Sequence, residues 1–239
     1  MLGSLAGVVA NAQLVEGTDY QLLSPAQPTS HPDKIVVTEF FSYQCPHCFH
    51  FSPAIDDWET RLPPDVVFER IPVSFGRPEW ASIGQAYYAL MAMGKLDVKM
   101  DTAIFNAIHV QNIRLTDLSS IADWVAKQGI NARDFTDMYN SFAVKMDMDR
   151  AEKAAPAYGI DGVPTLIVDG RYRLLAPRNV PTELDMANRE LQVVNLLIAK
   201  ERAARGMPNP AMASTGAPVG DANKQGAATK PASRKKVHH

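Results

Sequence analysis

The sequence predicts an α/β protein in which a mixed sheet is flanked by helices and carries an inserted all-helical subdomain. Runs rich in β-branched and aromatic residues, typical of strands, occur near both ends of the chain and are missing from residues 78–158. That central stretch repeats its apolar residues every three or four positions, which is typical of helices. Because neither group of strands could form a stable sheet alone, we expect strands from both ends to pair.

Length, charge and cysteine content narrow the possible functions. A chain of 239 residues is long enough for one domain with an insertion or for two small domains. A net charge of -2 gives no reason to expect nucleic acid or an anionic membrane as a partner. No run approaches the ~18 consecutive apolar residues that a membrane-spanning helix needs. Two cysteines are too few for a disulfide framework.

The first part of the main domain, residues 13–77, alternates strands with one helix. A short strand is predicted around residues 20–23, and the central strand is predicted over Lys34–Phe41. A helix follows from about Cys45 to Arg61 and ends before a pair of prolines. The alternating segment Val66–Ile71 is predicted to be the next strand.

The helical insertion is assigned to residues 78–150, and its helical pattern continues to about residue 158. Four or five helices are predicted, separated by stop and cap residues at Gly94, Thr116-Asp117, Gly129 and Asn131. We expect its methionines and aromatic residues to form a core rather than a ligand site, because flexible methionine fills irregular packing. The residues that carry this pattern are Ile83, Tyr87, Leu90, Met91, Met100, Ile104, Phe105, Ile108, Leu118, Ile121, Val125, Phe135, Met138 and Phe142.

The second part of the main domain, residues 151–205, returns to strands. Gly162–Val168 and Arg171–Leu175 are predicted strands joined by Asp169-Gly170, a strong signal for a two-residue hairpin turn. A last helix is predicted from Pro181 to about Arg205. Its predicted inner face consists of Leu184, Leu191, Val194 and Leu197.

The two ends of the chain have compositions that do not fit a folded domain. Residues 1–12 are rich in small and apolar residues, and Ala10 and Ala12 form a cleavage pattern, so we expect the remnant of a secretory signal cut after Ala12. The alternative is a disordered start. A secreted protein would work in an oxidising compartment. Residues 206–239 are dominated by Pro, Ala, Gly, Ser, Thr and Lys and are expected to be disordered.

The only two cysteines, Cys45 and Cys48, lie three residues apart where the central strand leads into the first helix. A dithiol at a helix N-terminus suits thiol-disulfide exchange, because the helix dipole favours the nucleophilic thiolate. Pro46 lacks an N–H and fits the first turn, and a charged His47 would favour the thiolate further. We therefore predict that Cys45 is the exposed attacking residue and that Cys48 is the resolving thiol.

Three other uses of this cysteine pair remain open. A structural zinc site would need four ligands, and His47 and His50 are nearby, but no second cysteine pair exists. A structural disulfide across so short a loop would contribute little stability. Two buried and unreactive thiols are the third alternative.

Two further positions are unusual for their predicted elements. Pro164, in Val163-Pro164, lies inside a strand pattern although proline cannot donate to a ladder, which indicates an edge, a bulge or, beside the cysteine motif, a cis-proline loop that binds an extended substrate. Glu39 is a carboxylate in an otherwise apolar strand. It either faces solvent or lies beneath the cysteines and relays the proton of Cys48.

These motifs together resemble the DsbA family of bacterial periplasmic thiol:disulfide oxidants, within the thioredoxin-like superfamily. The resemblance covers about Leu14 to Arg205. The combination of Cys-Pro-His-Cys, an upstream Glu-Phe-Phe and a downstream Gly-Val-Pro is highly specific. The segments that carry it are Glu39–Cys48, Ser141–Lys145, Glu152–Ala155, Gly162–Thr165 and Val168–Tyr172.

The resemblance implies a thioredoxin fold with an inserted helical domain, a cis bond between Val163 and Pro164, and Glu39 as a buried acid. It also implies oxidation of folding secreted proteins in the periplasm, no cofactor beyond the Cys45-Cys48 disulfide, no metal and re-oxidation by a membrane DsbB-type partner. We expect a monomer. The chain departs from relatives that carry a further acid soon after the motif, because that position is Ser52, and the family gives the 206–239 tail no role.

Two rival functions are considered. A disulfide reductase or isomerase would use the same chemistry, although isomerases of this superfamily usually carry an N-terminal dimerisation domain that we do not expect before Ile35. The other rival is a non-catalytic module that holds peptides around Val163-Pro164. Replacing Cys45 by alanine would separate the binding module from an oxidase, because the module would keep substrate binding whereas an oxidase would lose all turnover.

Overall fold

The computed structural model describes residues 14–178 and 180–208 and contains one mixed five-stranded sheet. Its strand order is β1-β5-β4-β2-β3. Strand β3 pairs parallel to β2, whereas β4 pairs antiparallel to both β2 and β5, and β1 pairs antiparallel to β5. Strands from both ends of the chain therefore share the sheet, as predicted. The strands are β1 Tyr20–Leu22, β2 Ile35–Phe41, β3 Val66–Pro72, β4 Thr165–Val168 and β5 Tyr172–Leu174.

Seven helices complete the described fold, and five consecutive ones separate β3 from β4. This arrangement confirms the predicted fold class, a mixed sheet flanked by helices with an inserted helical part. Within the described residues, no helix is both long and apolar enough to cross a membrane. The helices are α1 Pro46–Glu59, α2 Pro78–Ala92, α3 Val98–His109, α4 Leu118–Lys127, α5 Ala132–Tyr139, α6 Phe142–Ala157 and α7 Glu183–Ala204.

The helices begin in two chemically different ways. Helices α3 to α7 have polar N-cap residues whose side chains accept a hydrogen bond from a backbone N–H of the first turn. Such a cap typically stabilises a helix by about 1 kcal/mol. Helices α1 and α2 instead follow Cys45 and Arg77, make no side-chain cap bond, and start with proline. The N–H groups at the start of α1 are therefore left for another acceptor. The polar caps are Asp97, Asp117, Asn131, Ser141 and Thr182.

Strand β2 is buried along its whole length and connects the two parts of the core. Ile35 and Val37 pack in a cluster with residues of α1 and α7, whereas Phe41 packs with residues of α2 to α5. Cys45 and Cys48 belong to this second cluster. The cysteine pair is therefore held where the sheet meets the helical insertion.

Three residues that the sequence assigned to inner faces are exposed, so those assignments are wrong. Phe142 is 80% exposed because α5 ends at Tyr139 and Phe142 begins the next helix. Met91 is 48% exposed because it is rotated by about 100° from the buried Leu90. Leu184, in the first turn of α7, is 66% exposed, and the buried residues of that helix start at Ala187.

The predicted terminal segments fall largely outside the described part of the chain. Residues 1–12, the predicted signal remnant, and residues 209–239 of the predicted tail are not among the residues that the structure describes. Met207, which the sequence assigned to the tail, is described: it packs against the cluster formed with α7, and its N–H donates to Arg202 O at 2.9 Å.

Candidate active site

The two cysteines lie at the first turn of α1 and are both free thiols. Cys45 is the N-cap residue and Pro46 is the first helical residue. Cys45 is 5% exposed and Cys48 is 1% exposed. The prediction of an exposed Cys45 is therefore wrong in absolute terms, because the residue packs into the core, although Cys45 remains the more accessible of the two.

The two thiols have opposite proton affinities. A hydrogen bond from the Cys48 side chain lowers the pKa of Cys45 to about 6, and this effect, together with backbone N–H bonds from Cys48 and His47, outweighs desolvation by burial. The charge of His47 also lowers this pKa, but by less than these hydrogen bonds do. Burial, followed by the hydrogen bond to Cys45 and the charge of Glu39, raises the pKa of Cys48 well above its ordinary value. At neutral pH the pair is therefore one thiolate and one thiol.

The Val163-Pro164 loop faces the reactive sulfur. The peptide bond between these residues is cis, as the family resemblance implies. Cys45 Sγ lies 3.2 Å from the carbonyl oxygen of Val163, to which the thiol form can donate. The predicted strand from Gly162 starts only at Thr165, because the residues before it form this loop. Because Pro164 precedes β4, the N–H that proline lacks is not needed for a hydrogen bond between strands.

Glu39 lies in β2 and is buried, so it does not face solvent. Burial is the main reason that its pKa is raised to about 7, partly opposed by the charge and hydrogen bond of Arg70. Its Oε2 accepts from Arg70 Nε at 2.7 Å. Since the charge of Glu39 also raises the pKa of Cys48, the two groups are electrostatically coupled. A carboxyl group with a pKa near neutrality can give or take a proton at working pH.

Arg70, which sequence reasoning missed, connects two buried carboxylates and a third that is partly buried. Besides Glu39, it binds Asp56 at 2.7 Å and Asp101 at 3.1 Å, and its own side chain is only 11% exposed. Tyr43 O–H donates to Asp101 at 2.5 Å. The available signal was that Glu39 and Arg70 each interrupt an apolar strand, and β2 and β3 place these two residues in register. The sequence alone did not give that register.

Glu183 on α7 was also missed, and it bridges the two histidines of α1. Its Oε1 lies 3.2 Å from His47 Nδ1, and its Oε2 lies 2.5 Å from His50 Nδ1. All three side chains are partly exposed, so the contacts are screened by solvent. The bridge links the N-terminal turns of the two helices beside the cysteines.

A groove of about 430 Å³ opens beside the two histidines and the Val163-Pro164 loop. Its walls are mostly apolar, and one face of α7 forms one side. Within residues 14–178 and 180–208, no three His, Cys, Asp or Glu side chains are grouped so that they could hold a metal ion. The residues that line it include His47, His50, Phe51, Asp161, Val163, Pro164, Leu166, Arg173, Leu174, Glu183, Met186, Ala187 and Glu190.

Comparisons with known proteins point to one family. A family model described as a DSBA-like thioredoxin domain matches residues 36–186. The thiol:disulfide interchange protein DsbA of Pseudomonas syringae pv. tomato is 43% identical over 204 residues, covering 84% of this chain and 92% of that protein. The DsbA of Pseudomonas aeruginosa is 40% identical over 205 residues, covering 85% of this chain and 93% of that protein.

Solved structures agree with the sequence comparison. The crystal structure of Pseudomonas aeruginosa DsbA superposes with a TM-score of 0.73 at 39% identity, over 80% of this chain and 95% of that chain. The oxidoreductase DsbA from Xylella fastidiosa superposes with a TM-score of 0.72 at 29% identity, over 80% of this chain and 98% of that chain.

Proposed function

The chain belongs to the DsbA-like thioredoxin family and is a thiol:disulfide oxidoreductase, and from this premise we propose that it donates a Cys45-Cys48 disulfide to folding secreted proteins. The observation that carries the proposal is the asymmetry of the two thiols. Cys45 has a pKa of about 6, and its Sγ lies 3.2 Å from the Val163 carbonyl oxygen. Cys48 is more deeply buried, and its raised pKa keeps it protonated. A good leaving thiolate and a protonated partner suit the release of an oxidised substrate.

The proposed cycle transfers two electrons from the substrate to the protein. A substrate thiolate attacks Cys45 Sγ, a mixed disulfide forms, and the Cys45-Cys48 bond breaks with its electron pair on Cys48. Cys48 then takes up a proton. A second substrate thiolate attacks the substrate sulfur of the mixed disulfide, so that Cys45 leaves as a thiolate and the substrate carries a new disulfide. Low proton affinity makes Cys45 a good leaving group in this second step.

Glu39 is proposed as the group that supplies and recovers the Cys48 proton. Its pKa of about 7 lies close to working pH, and its charge acts on Cys48. The salt bridge with Arg70 holds its carboxylate in place. Pro46 and His47 complete the proposed site by shaping the first turn of α1, and Val163 and Pro164 offer backbone to an extended substrate.

The direction of the reaction follows from the stability of the reduced form. Each pKa unit by which Cys45 lies below ambient pH stabilises the reduced form by ~1.4 kcal/mol, which is about 30 mV for two electrons. Because the pKa of Cys45 is about 6, this contribution at pH 7 is about 30 mV. The same contribution makes the oxidised form a stronger oxidant.

The setting and the partners complete the proposal. We place the protein in the periplasm, as a monomer that uses its redox-active disulfide without a cofactor, and a membrane DsbB-type protein re-oxidises it. The relatives named thiol:disulfide interchange protein support substrates that carry free cysteines. The groove beside Cys45 is open enough to take part of such a chain.

The test is the redox equilibrium of Cys45 and Cys48 in glutathione buffers, together with the oxidation of a reduced, unfolded model protein. The reduction potential is about -120 mV for a DsbA and about -270 mV for thioredoxin. A potential towards the oxidising end, with turnover abolished in Cys45→Ala, is the expected result. A potential at the thioredoxin end would indicate a reductant, and peptide binding without any turnover would indicate a binding module.

A further inference from the structure

One face of α7 carries two carboxylates into the groove beside the active site. Glu183, Met186, Ala187 and Glu190 are spaced three, four and seven residues apart, which places them on one side of the helix. All four line the groove. Glu183 is bound by the two histidines of α1, whereas Glu190 lies farther along the helix.

Glu190 lacks a counter-ion within the described part of the chain. The effects on its pKa are burial and the negative charge of Glu39, both of which raise it, to about 7, and no cation or hydrogen-bond donor opposes them. The one lining cation besides the histidines, Arg173, donates instead to Gly159 O and to Gln21 Oε1. Asp161 adds a further carboxylate to the lining. Among the described residues, the groove is therefore an apolar cleft in which the Glu190 carboxylate has no cationic partner.

Such a cleft suits a long side chain that is apolar along its stem and cationic at its tip. Phe51, Leu166 and Met186 provide apolar walls that could cover the methylene stem of lysine or arginine. A carboxylate that is partly desolvated and unpaired gains more from such a cation than an exposed one does. Because the groove begins at the Val163-Pro164 loop, the residue that enters it would be a close neighbour of the substrate cysteine.

We propose that Glu190 is a specificity-determining residue that favours substrate polypeptides with a lysine or arginine two residues from the cysteine that attacks the Cys45-Cys48 disulfide. This inference rests on the proposed oxidase function and specifies its substrate class. The basic side chain occupies the groove, and its charge pairs with the Glu190 carboxylate. In an extended substrate, side chains two residues apart point to the same face, so positions two residues before and after the cysteine are the ones to vary.

The experiment uses the oxidised full-length protein and reduced peptides with two cysteines that differ at one of these positions. The residue there is lysine, norleucine or glutamate, and kcat/KM for disulfide formation is measured at pH 8. We expect the lysine peptide to react roughly 5- to 10-fold faster than the norleucine peptide and the glutamate peptide to be slowest. In Glu190→Gln the lysine-to-norleucine ratio should fall towards one. In Glu190→Lys the order of the charged peptides should reverse.

A matched control removes one carboxylate elsewhere. Asp137 is exposed on α5 and does not line the groove, so Asp137→Asn should keep the full lysine preference.

The lysine preference of the wild-type protein should weaken below pH 7, because Glu190 becomes protonated. The other titratable or charged groups that line the groove or act on Glu190 are His47, His50, Asp161, Arg173, Glu183 and Glu39. A lysine preference that is absent, or that survives in Glu190→Gln, would overturn the inference. Failure to oxidise even the norleucine peptide would instead overturn the proposed function.

Discussion

Replacing Arg70 by methionine should reveal how strongly the fold depends on the buried charges beneath the cysteines. Arg70 is the cation shared by Glu39, Asp56 and Asp101, at 2.7, 2.7 and 3.1 Å, and all four side chains are largely buried. Removing one partner of a buried ion pair typically costs 3–5 kcal/mol, because the other charge is left uncompensated. Since three carboxylates lose their cation here, we expect Arg70→Met to lower the free energy of unfolding at pH 8 by at least about 3 kcal/mol.

The loss should depend on pH in a defined direction. Burial already raises the pKa of Glu39 to about 7 and raises that of Asp101, and both values rise further without the cation. A raised pKa in the folded state means that protonation stabilises the fold as the pH falls. The difference between Arg70→Met and the wild-type protein should therefore be smaller at pH 5 than at pH 8.

Urea unfolding of the reduced proteins at both pH values measures these free energies. Arg61→Met is the matched control, because Arg61 forms an exposed pair with Asp57 that should contribute under about 1 kcal/mol. Adding Glu39→Gln to Arg70→Met should recover part of the loss, because one buried charge is removed. A loss below about 1 kcal/mol at pH 8, or one that grows as the pH falls, would refute the reasoning.

Two further predictions concern the cysteines and the last helix. The reduction potential of the Cys45-Cys48 pair should fall by about 30 mV per pH unit above pH 6, where reduction binds one proton, and by about 59 mV per pH unit below pH 6, where reduction binds two. A single slope across pH 6 in glutathione titrations would contradict the low pKa of Cys45. That low pKa stabilises the folded reduced protein fully above the ordinary thiol pKa, and the effect is lost as pH falls through 6. In urea unfolding, Leu197→Ala should cost about 2–5 kcal/mol and Leu184→Ala should cost well under 1 kcal/mol, because only Leu197 is buried, and equal losses would contradict this.

The sequence predicted the architecture well because hydrophobic periodicity and turn chemistry are local signals. The strands around Tyr20, Val37 and Ile167, the Asp169-Gly170 turn and the helical stretch between β3 and β4 all follow from such patterns. The pairing of distant strands followed from a physical requirement, since a single group of strands could not bury both faces.

Side-chain environment was harder to predict because it depends on contacts between distant segments. The in-register pairing of Glu39 with Arg70 requires the alignment of two strands, which no local pattern specifies. The bridge from Glu183 to the histidines depends on how α7 lies against α1. Leu184 fits the inner stripe of α7 by spacing, yet it lies in the first turn of the helix, before the buried residues start at Ala187, and is exposed.

The absence of a polar cap on α1 connects the fold to the chemistry. Helices α3 to α7 each use an oxygen atom to accept an N–H of their first turn, whereas α1 has only the sulfur of its N-cap residue, Cys45. A thiolate accepts such bonds far better than a disulfide sulfur, because charged acceptors form the stronger hydrogen bonds. The backbone N–H groups of His47 and Cys48 lower the pKa of Cys45, so they favour its thiolate, which exists only in the reduced protein. Stabilisation of the Cys45 thiolate favours the reduced form, which supports the proposed donation of the disulfide to substrates.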